Sequence, residues 1–190
     1  MAKRKEFEWI MDDRAAAVVT FWRQAGPAKW FHKDAGFDNE VRARFLALHE
    51  AAARGELASW EGEAESMLAL LILLDQFPRN MFRASAHAFA TDMMALNIAQ
   101  RALELGFDGA CGEEMRQFFY LPFMHSENIA DQELCLALCR LHKMADNIKF
   151  AEEHRDIIAR FSRFPHRNAV MGRKTSAEEL AFLDAGGFAG

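Results

Sequence analysis

Met67-Leu68-Ala69-Leu70-Leu71-Ile72-Leu73-Leu74 runs without a break into Asp75-Gln76-Phe77-Pro78-Arg79-Asn80. The first eight residues are apolar on every helical face. The helix they belong to, roughly 63 to 77, is therefore covered on all sides. Eight apolar residues are too few to cross a bilayer, which takes about 20. Pro78 is read as the helix end. Asp75 then falls near a helix C-terminus, directly after a buried run. A carboxylate there opposes the helix dipole and must be paired or exposed. Arg79 and Arg83 are the nearest cations.

Working outward, helix signals recur along the chain. Asp12 or Asp13 caps a helix to about Gln24, stopped by Gly26-Pro27. Asp38 or Asn39 caps another, whose Val41, Phe45, Leu48 and Ala52 keep helical spacing up to Gly55. Helices are predicted from about Ala88 to Leu105 and from Glu113 to Tyr120, with Pro122 as the stop of the second. Ser126 caps one to about Lys143, and Asp146 caps one to about Phe161. Thr175 or Ser176, with Glu179 three after Ser176, writes a capping box for the last. The pattern predicts an all-α, single-domain, right-handed stack of about eight antiparallel helices. Residues 1–11 and 185–190 read as frayed tails.

Of the 190 residues, 51% are hydrophobic and 27% charged, the balance of a globular chain. Lys and Arg number 23 against 28 Asp and Glu, and a net charge of −5 argues against nucleic-acid binding. Cys111, Cys135 and Cys139 lack framework spacing, so reduced thiols and a cytoplasmic location are expected. Met1 to Lys5 resemble the start of a signal peptide, but Glu6 and Glu8 interrupt it and no apolar segment follows. No membrane role is expected.

Three polar strings break the apolar pattern. The first is Asp75, Gln76, Arg79 and Asn80. Its plainer reading is an Asp–Arg clamp on the turn after Pro78. The second is Tyr120-Leu121-Pro122-Phe123-Met124-His125-Ser126-Glu127, continuing to Asp131 and Gln132. Ser126 and Glu127 fit ordinary helix-start chemistry, whereas His125 and Gln132 do not need it. The third is the last long helix and its exit. His154 lies on an apolar stripe with Phe150, Ile157, Ile158 and Phe161, where a lone histidine usually bonds a backbone carbonyl or a carboxylate. Arg163-Phe164-Pro165-His166-Arg167-Asn168 follows. From Ile157 to Ala177 there are five Lys or Arg and no acid, which leaves −10 for the rest. Guanidinium forks suit carboxylate or phosphate, so this segment is either an anion site or an internal counter-charge, and the two are compatible.

The chain has no Glu-x-x-His, His-Glu-x-x-His, P-loop, G-x-G-x-x-G or G-x-S-x-G motif. No cofactor is identifiable. His125, Glu127 and His154 make a conceivable two-histidine, one-carboxylate metal set, but no spacing compels it and no metal is expected.

Taken in order, Trp30-Phe31, Phe37-Asp38, the string from Leu74 to Asn80, the string from Tyr120 to Glu127 with Gln132, and Arg163 to Asn168 are distinctive. The chain resembles the bacterial family catalogued as domain of unknown function nine hundred and twenty-four, from about Val19 to Leu183. The resemblance implies an all-helical, tetratricopeptide-like fold in cytoplasmic proteins and implies no activity. Ser162 stands where that family is expected to carry Gly, which matters if the position needs a special backbone angle.

Two functions follow from these residues. One is a pocket for a small anionic molecule, with His125, His154 and His166 as candidate acid–base groups. Its candidate ligand-binding residues are Asp75, Gln76, Arg79, Asn80, Glu127, Gln132, Arg163, Arg167 and Asn168. The other is a scaffold that grips an acidic or C-terminal peptide in an Arg-rich groove. A purely structural polar network is the third reading. Oligomeric state is not legible in the sequence.

Overall fold

A computed structural model describes residues 12–188, and among them there is no strand. The helices are α1 (Asp13–Ala25), α2 (Pro27–Trp30), α3 (Ala35–Ala53), α4 (Ala64–Leu71), α5 (Phe77–Met81) and α6 (Asp92–Glu104). They continue with α7 (Glu113–Met124), α8 (Ile129–Leu141), α9 (Ala145–Phe161) and α10 (Ala177–Asp184). A wider π turn, Ile72–Gln76, joins α4 to α5 without a break. No described helix is long and apolar enough to cross a membrane. The expected tail 1–11, with its signal-like Met1 to Lys5, lies outside the described residues, as do residues 189–190.

Side-chain caps explain where four of the helices begin. The Asp12 carboxylate accepts from the Arg14 N–H at 2.8 Å and starts α1. α3 starts before the expected Asp38, because Asp34 accepts from the Gly36 and Phe37 N–H groups. α8 is capped by Asn128 rather than Ser126, through a 2.9 Å bond from the Ala130 N–H. α9 begins at Ala145, which puts Asp146 inside its first turn. The Ser176–Glu179 capping box of α10 forms as predicted.

The two helix-internal prolines depart from expectation. Neither stops its helix: Pro78 lies in α5 and Pro122 in α7. Pro78 has no N–H for the Leu74 carbonyl, and in a regular helix its ring would press on that oxygen. The π turn resolves this by re-routing the ladder, with the Phe77 N–H donating to Ile72 O. Two freed carbonyls find side chains instead. Thr91 Oγ1 donates to Leu74 O at 2.5 Å, and His49 Nδ1 lies 2.9 Å from Leu73 O.

α4 is the centre of the molecule. None of Met67 to Leu74 is more than 3% exposed, and α1, α6 and α7 pack against the helix. An aromatic group continues the core past the π turn. Trp22 meets Phe77 and Phe118 edge-on, at 5.5 and 5.7 Å between ring centroids, and Phe45 stacks on Phe77 at 4.9 Å. Burying each such side chain is worth about 1.5–3 kcal/mol. α8 and α9 are joined by three residues and pack along each other. A smaller apolar cluster of Ile157, Ile158 and Phe164 takes in Phe161, Phe182 and Phe188.

Residues 185–188 do not fray. Gly186, at φ +83°, turns the chain, and its N–H donates to Leu183 O while the Gly187 N–H donates to Phe182 O, both at 3.0 Å. This is a Schellman motif, which satisfies the last carbonyls of α10. Gly187 crosses so close to the Phe182 ring that an added Cβ would lie 2.5 Å from it. The chain therefore returns toward the body of the protein and places Phe188 in the smaller cluster.

Candidate functional site

The π turn aims Asp75 inward at the end of the central helix. Its carboxylate, 1% exposed, has three side-chain partners, Gln76, Arg79 and His125. Gln76 Nε2 donates to Oδ2, and Arg79 donates to the Asp75 carbonyl and sits 3.3 Å from Oδ1. His125, the residue that ends α7, places Nδ1 2.7 Å from Oδ1. Arg79 reaches on to Asp92, at the start of α6, in a two-toothed contact at 3.1 Å on each oxygen.

Arg167 closes the group from the exit of α9. Its Nη1 donates to Asp92 Oδ2 at 3.3 Å. Its guanidinium lies 4.5 Å from the Phe89 ring and 4.5 Å from the Phe164 ring. Arg167 is 6% exposed, and its Nε has no hydrogen-bond partner. The neighbouring His166 Nδ1 is likewise buried and unpartnered. His154 Nδ1 lies 2.8 Å from Phe150 O, so of the two partners expected on the apolar stripe, backbone carbonyl or carboxylate, the carbonyl is the one found. The group reaches solvent along one edge, formed by Arg79, Asp92 and His125.

Electrostatics divides the roles. Burial pushes the Asp75 carboxyl up, but Arg79 and His125 outweigh it and bring it to about 2. Burial lowers His125, helped by Arg79 and opposed by Asp75. Asp75 is thus ionised and His125 neutral near pH 7. The 2.7 Å contact fixes the tautomer, with Nδ1–H donating to the carboxylate and Nε2 carrying the lone pair. Burial, then His125, brings His154 down to about 4. Burial, then Arg167, brings His166 down to about 3. Burial and the charge of Arg79 lower Arg167 to about 10, so it remains a cation.

Five candidates named from the sequence go elsewhere. Asn80 donates to Asp38 at 2.8 Å, and Arg83 pairs with that same carboxylate rather than with Asp75. Glu127 accepts from the Phe164 N–H at 2.9 Å and is held by Arg173 at 2.6 Å, so the metal set with His125 and His154 is not assembled. Gln132 Nε2 donates to Met124 O and Ser126 O, fastening the end of α7 to α8. Arg163 is clamped by Glu179 at 2.6 and 2.8 Å. Asn168 Nδ2 lies 3.5 Å from Thr175 Oγ1. Among the described residues no three His, Cys, Asp or Glu side chains are arranged to hold a metal ion.

Asp92 is the residue that sequence reading missed. It looks like one more acid in a helix first turn, a common placement. Its signal was the Thr91-Asp92 pair ahead of an apolar helix, obscured by starting that helix at Ala88. The structure puts a separate 3₁₀ turn at Ala86–Phe89 and begins α6 at Asp92. Two open surface depressions lie away from the Asp75 group. One, of about 430 Å³, lies by Arg160, Arg163 and Glu178; the other, of about 390 Å³, lies by Arg23, Glu65 and Cys111.

Residues 18–187 match the model of the family of bacterial proteins of unknown function DUF924. The chain belongs to this family. A similar solved structure is that of the protein of unknown function ATU0120 from Agrobacterium tumefaciens, 51% identical, with a TM-score of 0.88 and coverage of 91% of this chain and 98% of that one. The neighbour shares the all-helical fold, and neither description names an activity. No curated protein matches the chain. At Ser162, where the resemblance led us to expect Gly, the backbone is left-handed, with φ 57° and ψ 15°. That angle is the reason Gly suits the position.

Proposed function

We propose that this protein binds a small organic anion at the Arg79–Arg167 group, and that His125, oriented by Asp75, exchanges a proton with it. One observation carries the reading: a buried guanidinium, flanked by two rings, keeps a donor without a partner. A buried charged donor left unpaired forfeits about 1.5–3 kcal/mol, so native structures leave few of them. An anion that bonds the free Nε edge recovers that energy. Arg79 adds charge nearby while Asp75 and Asp92 keep both arginines in place.

The acid–base part rests on the His125–Asp75 pair. With Nδ1–H held by the carboxylate, Nε2 is the basic atom, and it has no partner among the described residues. It accepts a proton from the ligand and gives it back, and Asp75 stabilises the imidazolium in between. His154 and His166 shape the site as neutral rings. The peptide-scaffold alternative is less favoured, because Arg163 and Arg173 are held by Glu179 and Glu127 rather than offered to a partner. Helix pairs with short links support a tetratricopeptide-like stack. Three free thiols support a cytoplasmic location.

The test is thermal unfolding at fixed ionic strength with acetate, formate and inorganic phosphate. At least one anion should raise Tm, and Arg167→Lys should abolish the rise because Lys lacks the fork. The rise should persist in His125→Gln. If no anion raises Tm, or if Arg167→Lys responds like the wild type, the anion site is refuted.

A further inference from the structure

We propose that the outer face of α8 is a self-docking surface, through which two copies of this chain pair antiparallel about a two-fold axis at Ala137. The inference is independent of the anion reading. Ala130, Leu134, Ala137 and Leu141 keep helical spacing and form one stripe along α8. All four are exposed, Leu141 at 71% and Leu134 at 40%. Cys135, Leu136 and Cys139 make the buried face of the same helix, packed with α7 and α9. A single exposed apolar side chain, such as Phe31 or Met93, is ordinary. A row of apolar side chains along a whole helix marks a contact surface.

The charges beside the stripe select its occupant. Glu133 and Arg140 lie two turns apart on one flank, and both are exposed. Each is tied to α9, Glu133 to Arg155 at 3.5 Å and Arg140 to Glu152 at 2.7 Å. The sign therefore runs negative then positive along α8, with the opposite sign beside each on α9. A partner of one sign, such as a nucleic acid, an anionic membrane or an acidic peptide, meets no net charge here. A second copy laid antiparallel meets its complement. Glu133 faces the partner's Arg140, and Arg140 faces the partner's Glu133, as flanking charges do in coiled coils. The same placement sets Leu134 on the partner's Leu141 and Leu141 on the partner's Leu134. Both pairings centre on Ala137, whose small side chain lets the two helices approach closely.

The interface is isologous, so each contact is made twice. One helical stripe with its flank is smaller than the interface of a permanent dimer, so association is weak and reversible. Exposed ion pairs add little affinity, and their part here is to fix register and direction.

Sedimentation velocity of the full chain, from micromolar to near-millimolar protein, tests the assignment. The wild type should pass from monomer to dimer over that range. Leu141→Lys puts a cation at an exposed helix C-terminus, where the dipole favours it, and should fold normally. It should weaken the dimer about a hundredfold, because two-fold symmetry loses the contact twice. Glu133→Arg and Arg140→Glu should each weaken it about tenfold by opposing like charges. Mixed in equal amounts, these two variants should dimerise about as well as the wild type, because positions 133 and 140 then carry opposite signs across the axis. The neighbouring α9 charges are the same in the mixture and in the separate variants, so they do not produce this rescue. If the wild type stays monomeric throughout, or if Leu141→Lys associates like the wild type, the docking face is refuted. If the mixture associates no better than its components, the antiparallel pairing is refuted.

Discussion

Asp92 is a small residue with a large electrostatic task. It faces Arg79 with both oxygens and Arg167 with one, so removing it leaves two guanidiniums short of counter-charge in a mostly buried place. Breaking such a pair by removing one partner costs about 3–5 kcal/mol. Asp92→Ala should therefore lose about 3 kcal/mol in urea unfolding, far more than Glu152→Ala, whose pair with Arg140 is exposed. Equal losses would show that Asp92 is not the hub the contacts imply. Ser162 makes the opposite case. A left-handed residue with a Cβ is strained by about 1–2 kcal/mol, partly offset by the greater freedom of Gly in the unfolded chain. Ser162→Gly should stabilise the protein by about 0.5–1 kcal/mol and raise Tm by a few degrees. A fall in Tm would mean that the hydroxyl or its surroundings matter more than φ.

At the scale of elements, the π turn connects fold to site. Pro78 removes the N–H that Leu74 O would use, and Thr91 Oγ1 supplies the missing donor. Thr91→Val strands that buried carbonyl and should cost about 1–3 kcal/mol. With Pro78→Ala in the background a backbone N–H returns at position 78, so the same Thr91→Val change should cost less. A double-mutant cycle should give a coupling of about 1 kcal/mol or more. Additive effects would mean that the π turn has another cause. The turn also explains why the helix boundary was misread. Pro78 forbids a regular ladder, not a helix, and the sequence alone does not reveal that Thr91 and His49 stand ready to satisfy the freed carbonyls.

Over the whole molecule, the buried histidines set the response to acid. The ordinary histidine value is 6.5, and His154 and His166 lie at about 4 and about 3 in the folded protein. Below pH 6.5 the unfolded chain binds protons that the folded chain refuses. Their contribution is complete above 6.5 and is lost as pH falls toward 4. The loss for His154 approaches about 1.4 kcal/mol per pH unit. Below the ordinary 3.8 of Asp, protonation of Asp75 in the unfolded chain adds a further loss down to about 2. The urea midpoint should fall steadily from pH 7 to pH 5, and less steeply in His154→Gln. A flat profile over that range would contradict the burial of these rings as neutral groups.

The amino-acid order by itself determined the helical class, the all-round burial of Met67 to Leu74, the capping box at Ser176 and the place of His154 on an apolar face. These follow from periodicity and local hydrogen bonding, which neighbouring residues settle among themselves. It also marked Asp75, Arg79, His125 and Arg167 as costly polar groups beside apolar runs. Packing alone decided which of them meet. Asp92 joined because α6 starts beside the π turn, while Asn80, Glu127 and Arg163 were drawn off to Asp38, Arg173 and Glu179. A charge takes the nearest opposite charge in space, and nearness between residues 75, 92, 125 and 167 exists only once the helices have packed.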